Sequence, residues 1–260
     1  MEDFLSYSSA LIRPTLEAFQ TLDMYGILFF LFKVYIVFVL FQYLKMFIRL
    51  LVNIRIAHTS TAYSSTTPRN DKILILGDST AYGTGAHKPE DTIAGRFARD
   101  FPNSQIINLS KNGALIKDLK NQIKSVHDQT FNMIIISCGG NDVFRFTRIQ
   151  TILDDLSYVF RELEHCTPKG KIIFLLYNNI ASAPLFPSLV RFFVKKHGFK
   201  VQKAIQNSAI AQHVRVIELF VHDAYNPFLK NPEILFSKDG IHPSSRGYEL
   251  WYNRMWRLLA

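Results

Sequence analysis

Cysteine is almost absent from the sequence, with only Cys138 and Cys166 among 260 residues. Two cysteines cannot build a disulfide framework or a CxxC zinc site. With 12 glycines and 10 prolines, the chain is neither collagen-like nor of low complexity. Charged residues make up only 20% and hydrophobic residues 48%, which excludes an intrinsically disordered chain. This length and composition predict one folded domain with an appendage.

Acidic residues are also scarce, with 21 Asp and Glu against 30 Lys and Arg and a formal net charge of +9. The positive excess lies after residue 44, because the first 44 residues carry more acidic than basic groups. A basic domain can bind nucleic acid or an anionic lipid surface, or its charges can simply be solvated. The sequence contains no nucleic-acid-binding motif, so we expect membrane lipid as the partner, with a solvated basic surface as the alternative.

One long hydrophobic run stands out, GILFFLFKVYIVFVLFQYL at residues 26–44, whose only clearly polar members are Lys33 and Gln42. About 20 apolar residues cross a bilayer core, and Lys33 is close enough to one end to snorkel. We therefore predict a single membrane-spanning helix. An interfacial or hairpin helix and a buried helix of a soluble domain are the alternatives. A cleaved signal peptide fits poorly, because acidic residues precede the run and no small-residue cleavage site follows it.

The flanks of this run predict an orientation. Lys45, Arg49 and Arg55 follow it, whereas Arg13 alone precedes it. The positive-inside rule then places the C-terminal domain in the cytoplasm, with the periplasmic or extracellular side as the alternative. Residues 46–56 could form a basic amphipathic helix in the headgroup plane or simply extend the same helix.

The sequence pattern of the rest of the chain predicts an α/β domain. We assign residues 1–57 to the membrane segment, the Ser/Thr-rich residues 58–71 to a linker, and residues 72–260 to the domain. Continuous apolar runs predict buried strands at 72–76, 105–109, 133–138, 171–176 and 214–219. Amphipathic stretches between and after them predict helices near 90–100, 115–127, 147–165, 188–212 and 245–259. This alternation predicts a three-layer sandwich around a mainly parallel five-stranded sheet.

Polar sequences follow three of the predicted strands. They are GDST at 77–80, NLSKNGA at 108–114 and GGND at 139–142, and a fourth, DGIHPS at 239–244, precedes the last helix. Ligand sites of open α/β sheets collect at the carboxyl ends of the strands, so we expect these segments to meet there.

Chemically, these segments offer a nucleophile, two sets of hydrogen-bond donors, and a base with a residue to orient it. The hydroxyl of Ser79 becomes a strong nucleophile only beside a base such as His242, and Asp239 could orient that histidine. The backbone N–H groups of Ser79 and Gly113 and the side-chain amide of Asn141 are candidate oxyanion donors. We expect Asp142 to hydrogen-bond the turn that presents Asn141. We expect Cys138 to be a buried small hydrophobe.

Other interpretations of the same residues are weaker. Residues 77–83 are not a P-loop, because no Gly-Lys-Ser/Thr follows. They are also not the GxSxG elbow of α/β-hydrolases, because Ala81 occupies the second glycine position. Asp239 and His242 could both bind a metal, but no further cluster has ligand spacing.

The four segments, in this order and spacing over roughly residues 70–260, resemble the four blocks of the SGNH (GDSL) hydrolase family. The resemblance implies a flavodoxin-like sandwich that hydrolyses esters or thioesters, or transfers acyl groups, without a metal or organic cofactor. It also implies that Ser79 is the nucleophile, His242 the base and Asp239 its orienter, with Ser79, Gly113 and Asn141 forming the oxyanion hole. Thr80 replaces the usual Leu, which we expect to alter packing more than chemistry. Residues 1–57 lie outside the resemblance.

Residues 181–203 combine bulky apolar side chains with Lys195, Lys196 and Lys200. We consider them either an acyl-binding wall or membrane-facing lid, or an ordinary helix that covers the sheet. As the resemblance implies, we expect a serine hydrolase that cleaves carboxylic esters through an acyl-enzyme. The apolar run adds a membrane anchor to this expectation, and we expect the substrate to be an ester of a lipid or of another acyl chain. The alternatives are an O-acetyl esterase or acetyltransferase acting on a glycan, and a non-catalytic, membrane-tethered interaction domain. Acyl chain length, head group and oligomeric state do not follow from the sequence.

Overall fold

The computed structural model describes residues 24–167, 171–177, 179–219 and 225–259. The chain divides into two compact units, Met1–Lys45 and Met46–Ala260. The second unit therefore starts before the domain boundary that we predicted at residue 72. The predicted N-terminal flank, including Arg13, lies outside the described residues.

Helix α1, Met24–Thr59, is one continuous helix of 36 residues. At 1.5 Å per residue it is about 54 Å long, whereas a bilayer core is about 30 Å thick. Many of its large apolar side chains are exposed, among them Phe29, Phe30, Phe32, Val37, Phe38 and Leu40. This exposure argues against a buried core helix, and the helix is long and apolar enough to cross a membrane. Residues 46–56 extend the same helix, which was one of our two alternatives.

The sheet has five strands, all paired in parallel, in the order β2-β1-β3-β4-β5. The strands are β1 Asp71–Gly77, β2 Ser104–Asn108, β3 Met133–Ser137, β4 Lys171–Leu176 and β5 Arg215–Glu218. Their central Ile, Leu and Phe side chains are buried, as expected for a sheet covered on both faces. The five-stranded α/β sandwich predicted from the sequence is confirmed.

Some of the helices that follow α1 begin or end at other residues than the helices predicted from the amphipathic stretches. The helices after α1 are α2 Ser79–Tyr82, α3 Ile93–Asp100, α4 Leu119–Lys124, α5 Gly140–Phe144, α6 Ile149–Cys166, α7 Ser188–Ala211, α8 Pro227–Lys230, α9 Pro232–Leu235 and α10 Ser245–Leu259. Helix α6 packs against α4 and α7, while α10 packs against α3. The predicted helix at 115–127 is shorter, because a 3₁₀ turn at Ile116–Asp118 precedes α4.

The Ser/Thr-rich stretch 58–71 begins with the end of α1 and then follows β2. The backbone N–H of Ser65 donates to Ile106 O at 2.9 Å, and its hydroxyl accepts from the Ile106 N–H at 2.9 Å. The Ser64 hydroxyl accepts from the Asn108 N–H at 3.1 Å. Part of this stretch therefore pairs with the edge strand of the sheet, where free backbone groups would otherwise be exposed.

Candidate active site

Ser79 lies at the start of α2, immediately beyond the carboxyl end of β1. Gly77 has a φ of +144°, and a Cβ there would overlap the carbonyl oxygen of Ser137 on β3. A glycine is therefore required for the chain to turn sharply out of the sheet. Asp78 caps the helix by accepting from the Thr80 N–H at 2.9 Å. This turn places the Ser79 hydroxyl at the edge of the sheet.

Ser79, His242 and Asp239 form a continuous chain of hydrogen bonds. His242 Nε2 lies 2.8 Å from Ser79 Oγ, and His242 Nδ1 lies 2.6 Å from Asp239 Oδ2. Nδ1 can therefore donate to the carboxylate while Nε2 accepts from the serine hydroxyl. The structure brings together the three side chains that the sequence predicted for catalysis.

Asp239 is fully buried, and hydrogen-bond donors of the protein surround its carboxylate. Its Oδ1 accepts from the Ser237 hydroxyl at 2.6 Å and from the N–H groups of Ile241 and His242 at 3.0 and 3.1 Å. Burial alone would raise the pKa of Asp239, but the interactions with His242, Ser237 and the Ile241 N–H outweigh burial and lower that pKa. The carboxylate is therefore ionised at neutral pH and can stabilise an imidazolium.

Gly113 and Asn141 line the same cavity as Ser79. Gly113 has a φ of +77°, and no atom lies within 4 Å of the position that a Cβ would occupy. Open space therefore surrounds this part of the backbone. Asn141 Nδ2 donates to Ala114 O at 3.0 Å, which fixes the amide and leaves its second N–H for another acceptor. Both residues therefore lie at the wall of the cavity that also contains the Ser79 hydroxyl.

Asp142 has a partner that the sequence did not suggest. Its buried carboxylate accepts from the backbone N–H of Ile116 at 3.0 Å, so it connects α5 to the 3₁₀ turn at Ile116–Asp118. Burial raises the pKa of Asp142 to about 6.

Thr80 contributes polar contacts in addition to packing. Its hydroxyl donates to Asp78 Oδ1 at 2.8 Å and lies 2.8 Å from the Ser137 hydroxyl. Asp78 is buried, and burial raises its pKa despite the bonds from Thr80. Thr80 thus links the turn before Ser79 to the end of β3.

A cavity of about 650 Å³ opens beside Ser79. The rest of its wall is largely apolar, and its polar lining includes Asn53, Asp78, Ser79, Thr80, Asn112, Asn141, Tyr177, Asn179 and His242. The apolar lining includes Leu50, Ala57, Phe144, Phe146, Ile180, Ala183, Leu185, Phe186, Val190, Phe193, Val194, Phe236, Ile241 and Trp251. A pocket of this size and character suits an apolar ligand with a few fixed polar contacts.

Helix α7 and the turn before it both cover the sheet and line the cavity. Within residues 181–203, Val194 and Val201 are buried in the core, as in a helix that covers the sheet. Phe186 and Phe193 line the cavity. Leu189, Phe192, Phe193 and Phe199 are more than half exposed, and Lys195, Lys196 and Lys200 are exposed beside them.

Leu50, Asn53 and Ala57 of α1 also line the cavity, which we did not predict from the sequence. The one signal that could have indicated it is the polar Asn53 among the apolar residues at 50–54. Cys138 is buried as expected, and burial raises its pKa well above the ordinary value. Within the part of the chain that the structure describes, no three His, Cys, Asp or Glu residues are grouped to hold a metal.

Residues 75–250 match the model of the GDSL-like Lipase/Acylhydrolase family. The chain belongs to this family. As a GDSL-type protein it is an ester hydrolase, and the resemblance found in the four sequence blocks is confirmed. No curated protein sequence matches the chain.

Solved structures of lipolytic proteins and of an esterase share the fold. The extracellular lipase of Streptomyces rimosus is 14% identical, with a TM-score of 0.56 over 73% of this chain and 100% of its own. A lipolytic G-D-S-L protein from Veillonella parvula is 18% identical, with a TM-score of 0.56 over 72% of this chain and 97% of its own. An acetylxylan esterase from Geobacillus stearothermophilus is 19% identical, with a TM-score of 0.53 over 74% of this chain and 95% of its own.

Proposed function

We propose that this GDSL hydrolase is anchored in a membrane and cleaves carboxylic esters of lipids, with Ser79 as its nucleophile. The observation that carries the proposal is the hydrogen-bonded chain Ser79–His242–Asp239 at the wall of a large apolar cavity.

In the first half of the proposed reaction, Ser79 Oγ attacks the ester carbonyl while His242 Nε2 takes the hydroxyl proton. Asp239 stabilises the imidazolium that forms. The N–H groups of Ser79 and Gly113 and the amide of Asn141 bind the oxyanion. Collapse of this intermediate breaks the bond to the alcohol oxygen, which leaves with the proton from His242. An acyl group then remains on Ser79.

In the second half, water attacks the acyl-enzyme and gives a proton to His242 Nε2. The second oxyanion collapses, the bond to Ser79 Oγ breaks, and the serine takes the proton back. The carboxylic acid leaves and the enzyme returns to its starting state. Each step uses water together with side chains and backbone N–H groups of this chain.

The apolar cavity supports a long acyl chain as the preferred substrate group. An acetyl group would leave most of an approximately 650 Å³ cavity unfilled, whereas a fatty acyl chain would bury apolar surface against Leu185, Phe186 and Phe193. One of the structurally similar proteins is an extracellular lipase, which agrees with this proposal. Another is an acetylxylan esterase, so an O-acetylated glycan is the competing substrate.

The exposed side of α7 supports a lipid surface as the place of action. Leu189, Phe192 and Phe199 can insert among lipid acyl chains while Lys195 and Lys196 meet anionic headgroups. Phe193 is exposed on the same helix and lines the cavity, so a lipid leaving the bilayer there would meet the cavity entrance.

We further propose that residues 26–44 form the membrane anchor and that the domain faces the cytoplasm. The helix is long enough to span the bilayer, and Lys45, Arg49 and Arg55 follow the apolar run. Labelling with a fluorophosphonate that cannot cross membranes tests the orientation. We expect labelling only after cells are permeabilised. Labelling of intact cells would place the domain on the opposite side of the membrane.

The substrate is tested by kinetics of the full chain in detergent micelles, with p-nitrophenyl esters from acetyl to palmitoyl. We expect kcat/KM to rise with acyl length in wild type. Val190→Phe should narrow the cavity and move the preference to shorter chains, whereas Ile210→Phe, at an exposed site on the same helix, should not. Faster deacetylation of O-acetylated xylan than of any long-chain ester would favour the glycan alternative.

A further inference from the structure

Three residues on the last turns of α1 face the active site. Arg49, Asn53 and Ala57 recur every four residues, so they lie on one face of the helix. They belong to the same compact unit as Ser79 and His242. They precede the family match, which begins at residue 75, so the family's four sequence blocks do not include them.

Asn53 lies against the catalytic pair. Its Nδ2 is 3.4 Å from Asp239 Oδ2 and 3.4 Å from His242 Nδ1. In the tautomer that catalysis requires, Nδ1 carries a proton and cannot accept a hydrogen bond. The Asn53 amide therefore donates to the Asp239 carboxylate. The same oxygen, Asp239 Oδ2, also accepts a hydrogen bond from His242 Nδ1.

Arg49 contacts the loop that carries the catalytic pair. Its side chain packs against Gly240, where an added Cβ would lie 3.2 Å from Arg49 Cδ. Its guanidinium also donates to the carbonyl oxygen of Pro184. Gly240 lies between Asp239 and His242 in the sequence, so Arg49 supports the loop from the same side as Asn53.

Ala57 contacts the other half of the site. Its carbonyl oxygen accepts from Asn112 Nδ2 at 3.0 Å, and Asn112 directly precedes Gly113. The Asn112 Oδ1 in turn accepts from the Thr84 hydroxyl at 2.6 Å. One helix face thus contacts both the loop of the base and the loop of the candidate oxyanion donor.

We infer that Asn53 is a positioning residue of the active site, which donates to Asp239 and thereby sets the orientation and basicity of His242. The last turns of α1 then contribute to the catalytic centre. They belong to the same helix as the candidate membrane span. This inference rests on the proposed roles of Ser79, His242 and Asp239.

The inference has a consequence for the pH dependence of activity. Asn53 shares Asp239 Oδ2 with His242, so loss of its N–H makes that oxygen a better acceptor for the imidazolium. His242 then keeps its proton to a higher pH, and the acidic limb of kcat/KM moves upward. Replacement of Asn53 by Asp adds a negative charge beside the imidazolium and moves the acidic limb of kcat/KM to a still higher pH. Asp78 interacts electrostatically with His242, Arg49 packs against Gly240, and Lys238 directly precedes Asp239; all three remain in these variants.

The test compares wild type, Asn53→Leu, Asn53→Asp and Arg55→Ala as full chains in detergent, with p-nitrophenyl butyrate. Arg55 is exposed on the same helix and serves as the control. For Asn53→Leu we expect kcat to fall about three- to tenfold, as for one weak hydrogen bond to a charged group. For Asn53→Asp we expect the acidic limb to move up by about one pH unit. Arg55→Ala should keep both wild-type values.

An acidic limb that stays at the wild-type pH in both Asn53 variants would overturn the inference, even if their activity falls. Failure of both variants to fold would also overturn it, because it would show a structural role. A wild-type protein that does not react with a fluorophosphonate would instead refute the proposed function.

Discussion

The carboxylate of Asp142 accepts a hydrogen bond from the backbone N–H of Ile116, 3.0 Å away, and so joins α5, which contains Asn141, to the 3₁₀ turn that follows Gly113. Asn141 and Gly113 are two of the three candidate oxyanion donors. A buried carboxylate in this position holds the donors in a fixed relation, but burial raises its pKa to about 6.

Asp142→Asn should stabilise the protein at neutral and alkaline pH. The native state of the wild type binds the Asp142 proton more tightly than the unfolded state, so its free energy of unfolding falls as pH rises from about 4 to about 6. The loss is on the order of 2–3 kcal/mol above pH 6. The Asn amide oxygen can still accept from Ile116 and carries no charge. Thermal unfolding at pH 4 and pH 8 should show a higher Tm for the variant at pH 8 only. An equal difference at both pH values would contradict this account.

Thr80→Val should destabilise the turn that presents Ser79. The substitution keeps the shape but removes the hydroxyl that donates to buried Asp78 and contacts Ser137. We expect a loss of about 1–3 kcal/mol in the free energy of unfolding, because a buried carboxylate loses a donor. Thr80→Ser keeps the hydroxyl and is the matched control. Chemical denaturation of both variants measures the difference, and equal stability of Val and Ser variants would show that Thr80 acts through packing.

Asn141→Ala should lower kcat on the order of 10²–10³-fold, since it removes one of the proposed oxyanion donors. The exposed Asn103 is a matched control, and Asn103→Ala should retain wild-type kcat. Steady-state kinetics with a soluble short-chain ester separate the effect on kcat from that on KM. A change confined to KM would show that Asn141 contacts the substrate in its ground state. Near-wild-type activity of Asn141→Ala would show that Asn141 is not one of the oxyanion donors.

Reversal of the charge on α7 should weaken action on anionic membranes. Lys195→Glu combined with Lys196→Glu should lower hydrolysis of esters in phosphatidylserine-containing vesicles by at least about tenfold, since each basic residue near such a surface contributes about 1 kcal/mol. The exposed pair Lys88→Glu and Lys124→Glu makes the same change in net charge elsewhere. Soluble p-nitrophenyl butyrate should be cleaved equally by all three proteins. An equal loss in both double variants would indicate net charge alone.

The sequence predicted the central sheet and most of the helices well, because the responsible signals are local. Strands β1, β3 and β4 are short Ile- and Leu-rich runs bounded by polar residues, and α10 follows Pro243 with a clear apolar stripe. The prediction at 115–127 was less accurate, since periodicity alone does not distinguish a 3₁₀ turn from the start of an α-helix.

The candidate site was also largely predictable, since four short blocks place Ser79, Gly113, Asn141 and His242 at one edge of the sheet. The role of residues 49–57 was not. Asn53 and Asp239 are 186 positions apart, and nothing in the apolar run of α1 shows which of its faces meets a distant loop. The partner of Asp142 and the size of the cavity depend in the same way on how loops pack in three dimensions.

The most direct test of the account is fluorophosphonate labelling of the purified full chain, followed by peptide mass mapping. We expect one phosphonyl group per chain on Ser79 in wild type, no labelling of Ser79→Ala, and strongly slowed labelling of His242→Ala. Absence of labelling in folded wild type, or a label on another residue that persists in Ser79→Ala, would contradict the assignment of Ser79 as the nucleophile.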